Sequence, residues 1–197
     1  MNGKAAEVGI IGHEGLVGSL HLLGSGCVST SAFVQLEGVA LRIPFRDIQK
    51  VYWSSEEIRA RILEFAQEQA VSTSQIAGCN RLHNGRERLA RCLLMAQART
   101  GSNVLKFTQE ILGMMVGVRR TTVSLLAGDL QKAGAIDYRR GNVVILDQPA
   151  LQAAACDCYR VTSRLLAGLY SRPLPGVRPF VPEGLATVKS NGTISQL

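Results

Sequence analysis

The stretch FTQEILGMMVGVRRTTVSLLAGDLQKAGAIDYRRGNVVIL, at residues 107–146, decides the fold. It opens with a helix signal, because the Thr108 hydroxyl can accept a backbone hydrogen bond from a helix that starts at Gln109. Gly117 then marks a tight turn, since glycine tolerates a positive φ. A second helix is predicted over about 120–133, with an apolar stripe along one side. The two helices and their turn predict a helix-turn-helix unit.

A β-hairpin is predicted directly after the second helix. Two apolar segments, 135–138 and 143–146, flank a turn that contains Arg139 and Arg140. A hairpin in this position is well placed to lie against phosphates as a wing.

The start of the second helix carries a polar and basic surface. Arg120, Thr121 and Ser124 project away from the apolar stripe. In helix-turn-helix proteins this part of the helix enters the DNA major groove, where arginine pairs with guanine and hydroxyls reach base edges or phosphates. Packing alone does not explain why arginines gather at this helix start and at the hairpin tip. The pattern therefore predicts a nucleic-acid interface.

Positive charge is segregated along the 197-residue chain. Residues 1–80 carry a net charge of −2, whereas residues 81–172 carry +8, and 17 of the 22 basic residues are arginines. An Arg-rich basic segment is typical of a protein that binds a polyanion, although solvated helix faces would give the same composition. The content of 46% hydrophobic and 19% charged residues excludes a disordered or fibrous chain.

Residues 54–78 are predicted to form one long helix. Its stripe recurs at alternating spacings of four and three residues: Ile58, Ile62, Phe65, Gln69, Ser72 and Ile76. A narrow stripe of this kind is typical of a helix that packs on another helix, often on its own copy. We therefore expect a homodimer contact through 54–78; packing of the helix on its own domain is the alternative.

The first fifty residues are predicted to form short strands separated by glycines. Strands are indicated at 8–11, 33–36 and 39–44, and the last two form a hairpin about Glu37 and Gly38. This is the pattern of a β-roll or sandwich, but the segment has too few large side chains to close a core alone.

The cysteines indicate a reducing, cytoplasmic location. They are odd in number and widely scattered: Cys27, Cys79, Cys92, Cys156 and Cys158. Cys156-x-Cys158 does not have the spacing of a tetrahedral metal site, so we expect no metal and interpret the cysteines as small buried side chains. No apolar run approaches the ~18 residues of a membrane helix, so no membrane partner is expected.

An enzyme is not expected. His13, Glu14 and His83 are the obvious acid–base candidates, but no nucleophile, metal-ligand spacing or glycine-rich phosphate motif accompanies them in the sequence.

Residues 79–160 resemble the winged helix-turn-helix domain of Crp/Fnr transcription regulators. The resemblance rests on CNRLHNGRERLARCLLM, on the stretch quoted above and on the closing ACDCYR. Residues 54–78 are similar to that family's dimerisation helix. EVGIIGHEGLVGSLHLLG and SAFVQLEGVALRIP, within 1–53, resemble the second half of its cyclic-nucleotide-binding-type β-roll. The chain is therefore expected to start inside the sensor domain.

The resemblance implies an α+β architecture. It consists of a partial β-roll at 1–53, a dimerisation helix at 54–78 and a winged helix-turn-helix domain at 79–160. The proline-containing segment 173–197 is predicted to be a flexible tail.

The resemblance also implies a sequence-specific regulator that binds double-stranded DNA, with the recognition helix at about 120–133 in the major groove of a pseudo-palindromic site. The residues expected to contact DNA are Thr108, Gln109, Arg119, Arg120, Thr121, Thr122, Ser124, Arg139 and Arg140. Arg120 would read a base edge, supported by Thr121 and Ser124. Leu125 occupies a base-reading position where some members have a basic residue, so their operator sequences do not transfer. The alternative is a protein-interaction module, or an inactive fragment, that retains the winged helix without DNA binding.

No cofactor is expected. Family members that bind cyclic nucleotide hold its phosphate with an Arg-Ser pair, and Thr30 and Ser31 stand in that place here. A phosphate would therefore lack its cationic partner.

Overall fold

The computed structural model describes residues 7–24, 31–139 and 141–171. Its helices are α1 (Phe45–Ser54), α2 (Glu56–Leu82), α3 (Gly85–Thr100), α4 (Gln109–Val116), α5 (Arg120–Lys132), α6 (Gln148–Ala154) and α7 (Asp157–Gly168). Its strands are β1 (Val104–Lys106), β2 (Ile136–Arg139) and β3 (Asn142–Ile145), and a 3₁₀ turn lies at Ser19–Leu22.

The chain divides into two compact units. The first comprises residues up to Glu14 together with Gln69–Ala167, and the second comprises Gly15–Glu68 together with the chain from Gly168. The second unit has a small apolar cluster, in which three side chains are buried: Leu22, Tyr52 and Ile62. The division falls inside α2, so neither end of the predicted dimerisation helix is a boundary.

Helix α3 is the centre of the first unit. It begins with a reciprocal capping box, in which Asn84 Oδ1 accepts from Glu87 N and Glu87 Oε2 accepts from Asn84 N, each at 3.0 Å. The helix packs against α4, α5, α6 and β1. Its buried leucines, Leu89, Leu93 and Leu94, are at most 1% exposed. Burying each such side chain contributes about 1.5–3 kcal/mol, so α3 anchors the elements around it.

A three-stranded antiparallel sheet completes the first unit, in the order β1-β3-β2. Val143 of the central strand β3 pairs with Tyr138 of β2 on one side and with Leu105 of β1 on the other. Gly141, in the turn of the hairpin, has a φ of 82°. The hairpin was predicted correctly, whereas β1, a three-residue strand, gave no sequence signal.

The predicted α+β class is confirmed, but the strands predicted at 8–11, 33–36 and 39–44 are wrong. In the part of the chain before Val104 that the structure describes, there is no strand, and 45–54 is helical. An alternating segment forms a strand only where a neighbouring strand satisfies its backbone hydrogen bonds. The apolar side chains of this segment remain open to solvent, as Val39 at 65% exposure illustrates.

The long helix was predicted correctly in type but not in length. Ser55 caps α2 by accepting a hydrogen bond from Ile58 N at 3.3 Å. Gly78 was predicted to end the helix, but its φ is not positive, and the helix continues through it to Leu82. Much of its predicted dimer stripe is buried within the single chain; Phe65 is 1% and Ile76 is 3% exposed. This burial favours the alternative, a helix packed on its own chain.

Within the described ranges no single helix is long and apolar enough to cross a membrane. Helices α4 and α5 reach that length and apolar content only when taken together, and the chain bends by 89° between them. The tail predicted at 173–197, and Arg140 of the hairpin turn, lie outside the described residues.

The turn between α4 and α5 generates the first prediction. Gly117 has a φ of +69°, and the nearest atom to a methyl group added there would be 4.0 Å away, so only backbone strain opposes a side chain. Gly117→Ala should lower the free energy of unfolding by about 1–2 kcal/mol, measured by urea denaturation.

Gly128→Ala is the matched control. Gly128 lies inside α5, and a methyl group added to it would have nothing within 4 Å. Alanine should raise the free energy of unfolding there by about 0.5–1 kcal/mol. Equal destabilisation by both substitutions would contradict the role of the left-handed turn.

Candidate nucleic-acid interface

The two helices of the helix-turn-helix unit, α4 and α5, meet at 89°. Val118 N donates to Gly113 O at 3.0 Å. A methyl group on Gly113 would lie 3.0 Å from Val118 O, so this backbone atom would have to shift by a few tenths of an ångström to admit a side chain. Glycine at position 113 thus allows the close approach of the chain after the turn.

One side of α5 is buried and the other is open. Val123, Ala127 and Leu130 are at most 1% exposed, which confirms the predicted stripe except that Leu126 is only half-buried. Because these residues face the core, the opposite side at the start of the helix is exposed. Its exposed side chains are Arg119, Arg120, Thr121, Ser124 and Leu125.

The first backbone N–H groups of α5 have no side-chain cap among the described residues. In contrast, Thr108 caps α4 by accepting from Ile111 N at 3.2 Å, and Asp147 caps α6 by accepting from Ala150 N at 2.9 Å. The first turn of α5 also contains no acidic residue. An uncapped helix start beside arginines is favourable for a phosphate, since the N–H groups and the helix dipole both attract an anion.

Gln109 links the starts of the two helices. Its Oε1 accepts from Arg120 Nε at 2.9 Å, and its Nε2 donates to Ser124 Oγ at 2.8 Å. The first of these bonds holds the exposed guanidinium of Arg120 at its Nε edge. The remaining N–H groups of Arg120 are directed by this attachment and stay available to another acceptor.

Tyr138 of the wing lies beside this network. Its hydroxyl is close enough to Gln109 and Arg120 for both to affect its pKa. Burial raises the pKa of Tyr138 above its ordinary value, against the opposing effects of the Gln109 bond and the Arg120 charge. Tyr138 thus places strand β2 beside the start of α5.

The wing presents Arg139 beside the helix pair. The side chain of Arg139 is 79% exposed, and its Nε donates to Asp137 Oδ1 at 3.1 Å. Asp137 also accepts from Gln131 Nε2 at 3.3 Å, which attaches the wing to the end of α5. Asp137 thus orients an arginine that remains open to solvent.

The structure joins three of the nine residues predicted to contact DNA. Gln109, Arg120 and Ser124 are bonded to one another. Thr108 is exposed but its hydroxyl is already used as a cap, and Thr122 is half-buried. Arg140 lies outside the described residues.

His13 and Glu14, two of the three acid–base candidates, both contact Arg99, whereas His83 Nδ1 lies 3.5 Å from Cys158 Sγ. Glu14 is engaged in a buried ion pair, with Arg99 Nε at 2.9 Å from Glu14 Oε1. His13 Nδ1 lies 3.3 Å from Arg99 O.

The helix pair and wing lie within a segment that matches a known family of domains. Residues 87–154 match the family model of the Crp-like helix-turn-helix domain. The chain contains a Crp-like helix-turn-helix domain. The resemblance to Crp/Fnr regulators is thereby confirmed, and the match supports a DNA-binding regulator of transcription. No curated protein sequence matches the chain.

Solved structures of regulators are also similar to this chain. FixK2 from Bradyrhizobium japonicum matches with a TM-score of 0.51 and 14% identity, over 56% of this chain and 58% of FixK2. A Crp/Fnr-family regulator from Thermus thermophilus matches with a TM-score of 0.48 and 22% identity, over 51% of this chain and 55% of that protein. A variant of CooA from Carboxydothermus hydrogenoformans matches with a TM-score of 0.48 and 21% identity, over 55% of this chain and 53% of CooA. The chain thus spans about half the length of the structures it matches, and the FixK2 match shows the fold alone.

Two residues of the Crp-like domain's polar network were not predicted from the sequence. The sequence pattern places Asp137 and Tyr138 only within a strand. The signal for Asp137 was present, because residues two apart on a strand share a face and Arg139 follows at that spacing. Tyr138 gave no such signal, since its partner Gln109 is 29 positions away and the contact depends on how the hairpin packs.

The Gln109 network generates the second prediction. Gln109→Ala removes both bonds, so the Arg120 Nε–H should exchange faster with solvent, as measured by arginine side-chain NMR. Because the site is on the surface, the free energy of unfolding should fall by no more than ~1.5 kcal/mol. Gln131→Ala is the matched control and should leave the Arg120 signal unchanged. A protected Arg120 signal in Gln109→Ala would contradict the network.

Proposed function

We propose that this protein is a sequence-specific DNA-binding regulator of transcription that inserts α5 into the major groove. The observation that carries the proposal is the exposed Arg120, held by Gln109 at the uncapped start of α5 in a Crp-like domain. A guanidinium presented in this way can form two hydrogen bonds with a guanine edge. A regulator of this kind acts on the chromosome, so the cytoplasmic location expected from the cysteines is part of the proposal.

The other residues of the interface have separate roles. Thr121 and Ser124 support base reading beside Arg120, and exposed Leu125 offers an apolar contact, for example to a thymine methyl group. The residues proposed to contact the DNA backbone are Thr108, Arg119, Thr122, Arg139 and Arg140, while Gln109 holds Arg120 and Ser124. Phosphate contacts of this second kind set affinity and register without reading sequence.

The regulator would bind as a homodimer on a pseudo-palindromic site, with two recognition helices about 34 Å apart. Because the predicted stripe of α2 is buried within the chain, the dimer contact would use the helix's exposed apolar side chains. These are Leu63, Val71 and Leu82, at 45%, 42% and 79% exposure. Their spacing of 8 and 11 residues places them on one side of the helix.

Base reading by Arg120 is tested by selection from a random DNA duplex pool, followed by binding measurements on the enriched site. The parent chain should enrich a two-fold symmetric sequence. Arg120→Ala should weaken binding by ~1–3 kcal/mol and relax the preference at one base position in each half-site. An equal loss of affinity for all DNA sequences would contradict the base-reading role.

The salt dependence of binding separates the wing from the recognition helix. Arg139→Ala should weaken binding to all DNA sequences equally. It should also reduce the slope of log K against log salt by ~1, because one phosphate contact is lost. Arg164→Ala is the control, since Arg164 is exposed on α7, outside the helix pair and the wing. Salt-insensitive binding of a protein partner, with no enriched DNA, would favour the interaction-module alternative.

A further inference from the structure

Four potential metal ligands, none of them among the residues proposed to contact DNA, converge in the first unit. The ligand atoms of Cys79, His83, Cys156 and Cys158 all lie within 4.8 Å of one another. The three cysteines are buried, at 7% exposure or less, and His83 is half-buried. Sequence spacing gave no hint of this, because the members of the cluster are up to 79 positions apart along the chain.

The separations fit a tetrahedral site. Cys79 Sγ and Cys156 Sγ are 3.4 Å apart, and Cys158 Sγ is 3.5 Å from His83 Nδ1. With metal–sulfur bonds of ~2.3 Å and metal–nitrogen bonds of ~2.0–2.1 Å, a tetrahedral zinc site has ligand atoms roughly 3.6–3.8 Å apart. Only small side-chain movements separate the observed positions from that geometry. The donor set, three thiols and one imidazole, is one that Zn²⁺ prefers.

The backbone holds the ligands in place before any metal binds. Cys79 and His83 are one helical turn apart, and His83 N donates to Cys79 O at 3.1 Å, so both side chains share one face. Cys156 and Cys158 flank the start of α7, where Tyr159 N donates to Cys156 O at 3.0 Å. The start of a helix also favours negatively charged thiolates.

A buried cation beside the cluster supplies the charge balance. Arg91 is 1% exposed and interacts electrostatically with Cys79, Cys92 and Cys156. Its guanidinium donates to Met95 Sδ at 3.2 Å and to Cys92 Sγ at 3.5 Å, and its Nε has no hydrogen-bond partner. Across the described ranges Arg91 forms no ion pair with a carboxylate.

A buried arginine without a carboxylate partner is costly, so its position beside the cluster calls for an anion. Zn²⁺ with three thiolates and a neutral imidazole carries a net charge of −1, which Arg91 would neutralise. We propose that Cys79, His83, Cys156 and Cys158 bind one zinc ion, which ties the end of α2 to the start of α7. The sequence-based expectation of no metal is revised by this proposal.

The test uses the full chain, reduced and stripped of metal by a chelator. Titration with Zn²⁺ against a chromophoric competitor should give one zinc per chain, and zinc should raise Tm. Cys158→Ser and His83→Ala should weaken zinc binding more than about 100-fold, since even partners outside the ligand set account for ~10–100-fold. His83→Ala keeps the test valid if Cys158→Ser does not fold, because His83 is half-buried.

Cobalt(II) identifies the donors. The parent chain should give tetrahedral d–d bands and thiolate-to-cobalt charge transfer of three-thiolate intensity, reduced by about a third in Cys158→Ser, in proportion to the ligands lost. Cys92→Ala and His21→Ala are the controls, a buried cysteine and a half-buried histidine outside the cluster, and both should retain full zinc binding. A reduced chain that binds no zinc, binds it equally well in His83→Ala and Cys158→Ser, or binds iron instead would overturn the proposal.

Discussion

The close approach of the backbone between α4 and α5 is the constraint on which the surface proposed to contact DNA depends. A side chain on Gly113 would be in tight contact with Val118 O, and Gly117 takes the left-handed conformation that ends α4. Together they fix the 89° bend and bring Val123 to complete burial. Because a helix buries only one stripe, sealing Val123 into the core forces Arg120 and Ser124 outward. The exposure of the recognition surface is thus a consequence of packing.

Electrostatics then gives that surface its chemical character. In the helices before and after α5, Thr108 and Asp147 each cap one early backbone N–H, whereas α5 begins at an arginine with no side-chain cap among the described residues. An uncapped helix start loses about 1 kcal/mol of stability relative to a capped one. A phosphate at this position would recover that loss, so DNA binding would complete an interaction that the free domain leaves unmade.

The residues that could be predicted from the sequence are those whose signals are local. Thr108, Gly117 and the Arg139-containing hairpin carry their structural meaning within a few positions, so the helix-turn-helix and wing follow directly. The strands predicted in the first fifty residues are wrong because strand formation depends on a partner, and alternation at Val39 says nothing about whether one exists. The cluster of Cys79 and Cys156 is invisible for a related reason: no short-range pattern reports a contact across 77 positions.

Helix α2 takes part in both the proposed zinc site and the proposed homodimer contact, each on a different side of the helix. The stripe from Ile58 to Ile76 recurs at spacings of four and three, and the same rhythm continues to Cys79 and His83. Cys79 and His83, two of the four proposed metal ligands, therefore continue this stripe beyond its apolar members. Leu63 and Leu82 lie on the exposed side, about a quarter to a half turn away by helical geometry. A zinc ion would thus fix the end of the helix from its buried side while the side proposed for dimerisation stays open, so metal loading could set how rigidly that surface is presented to a second copy.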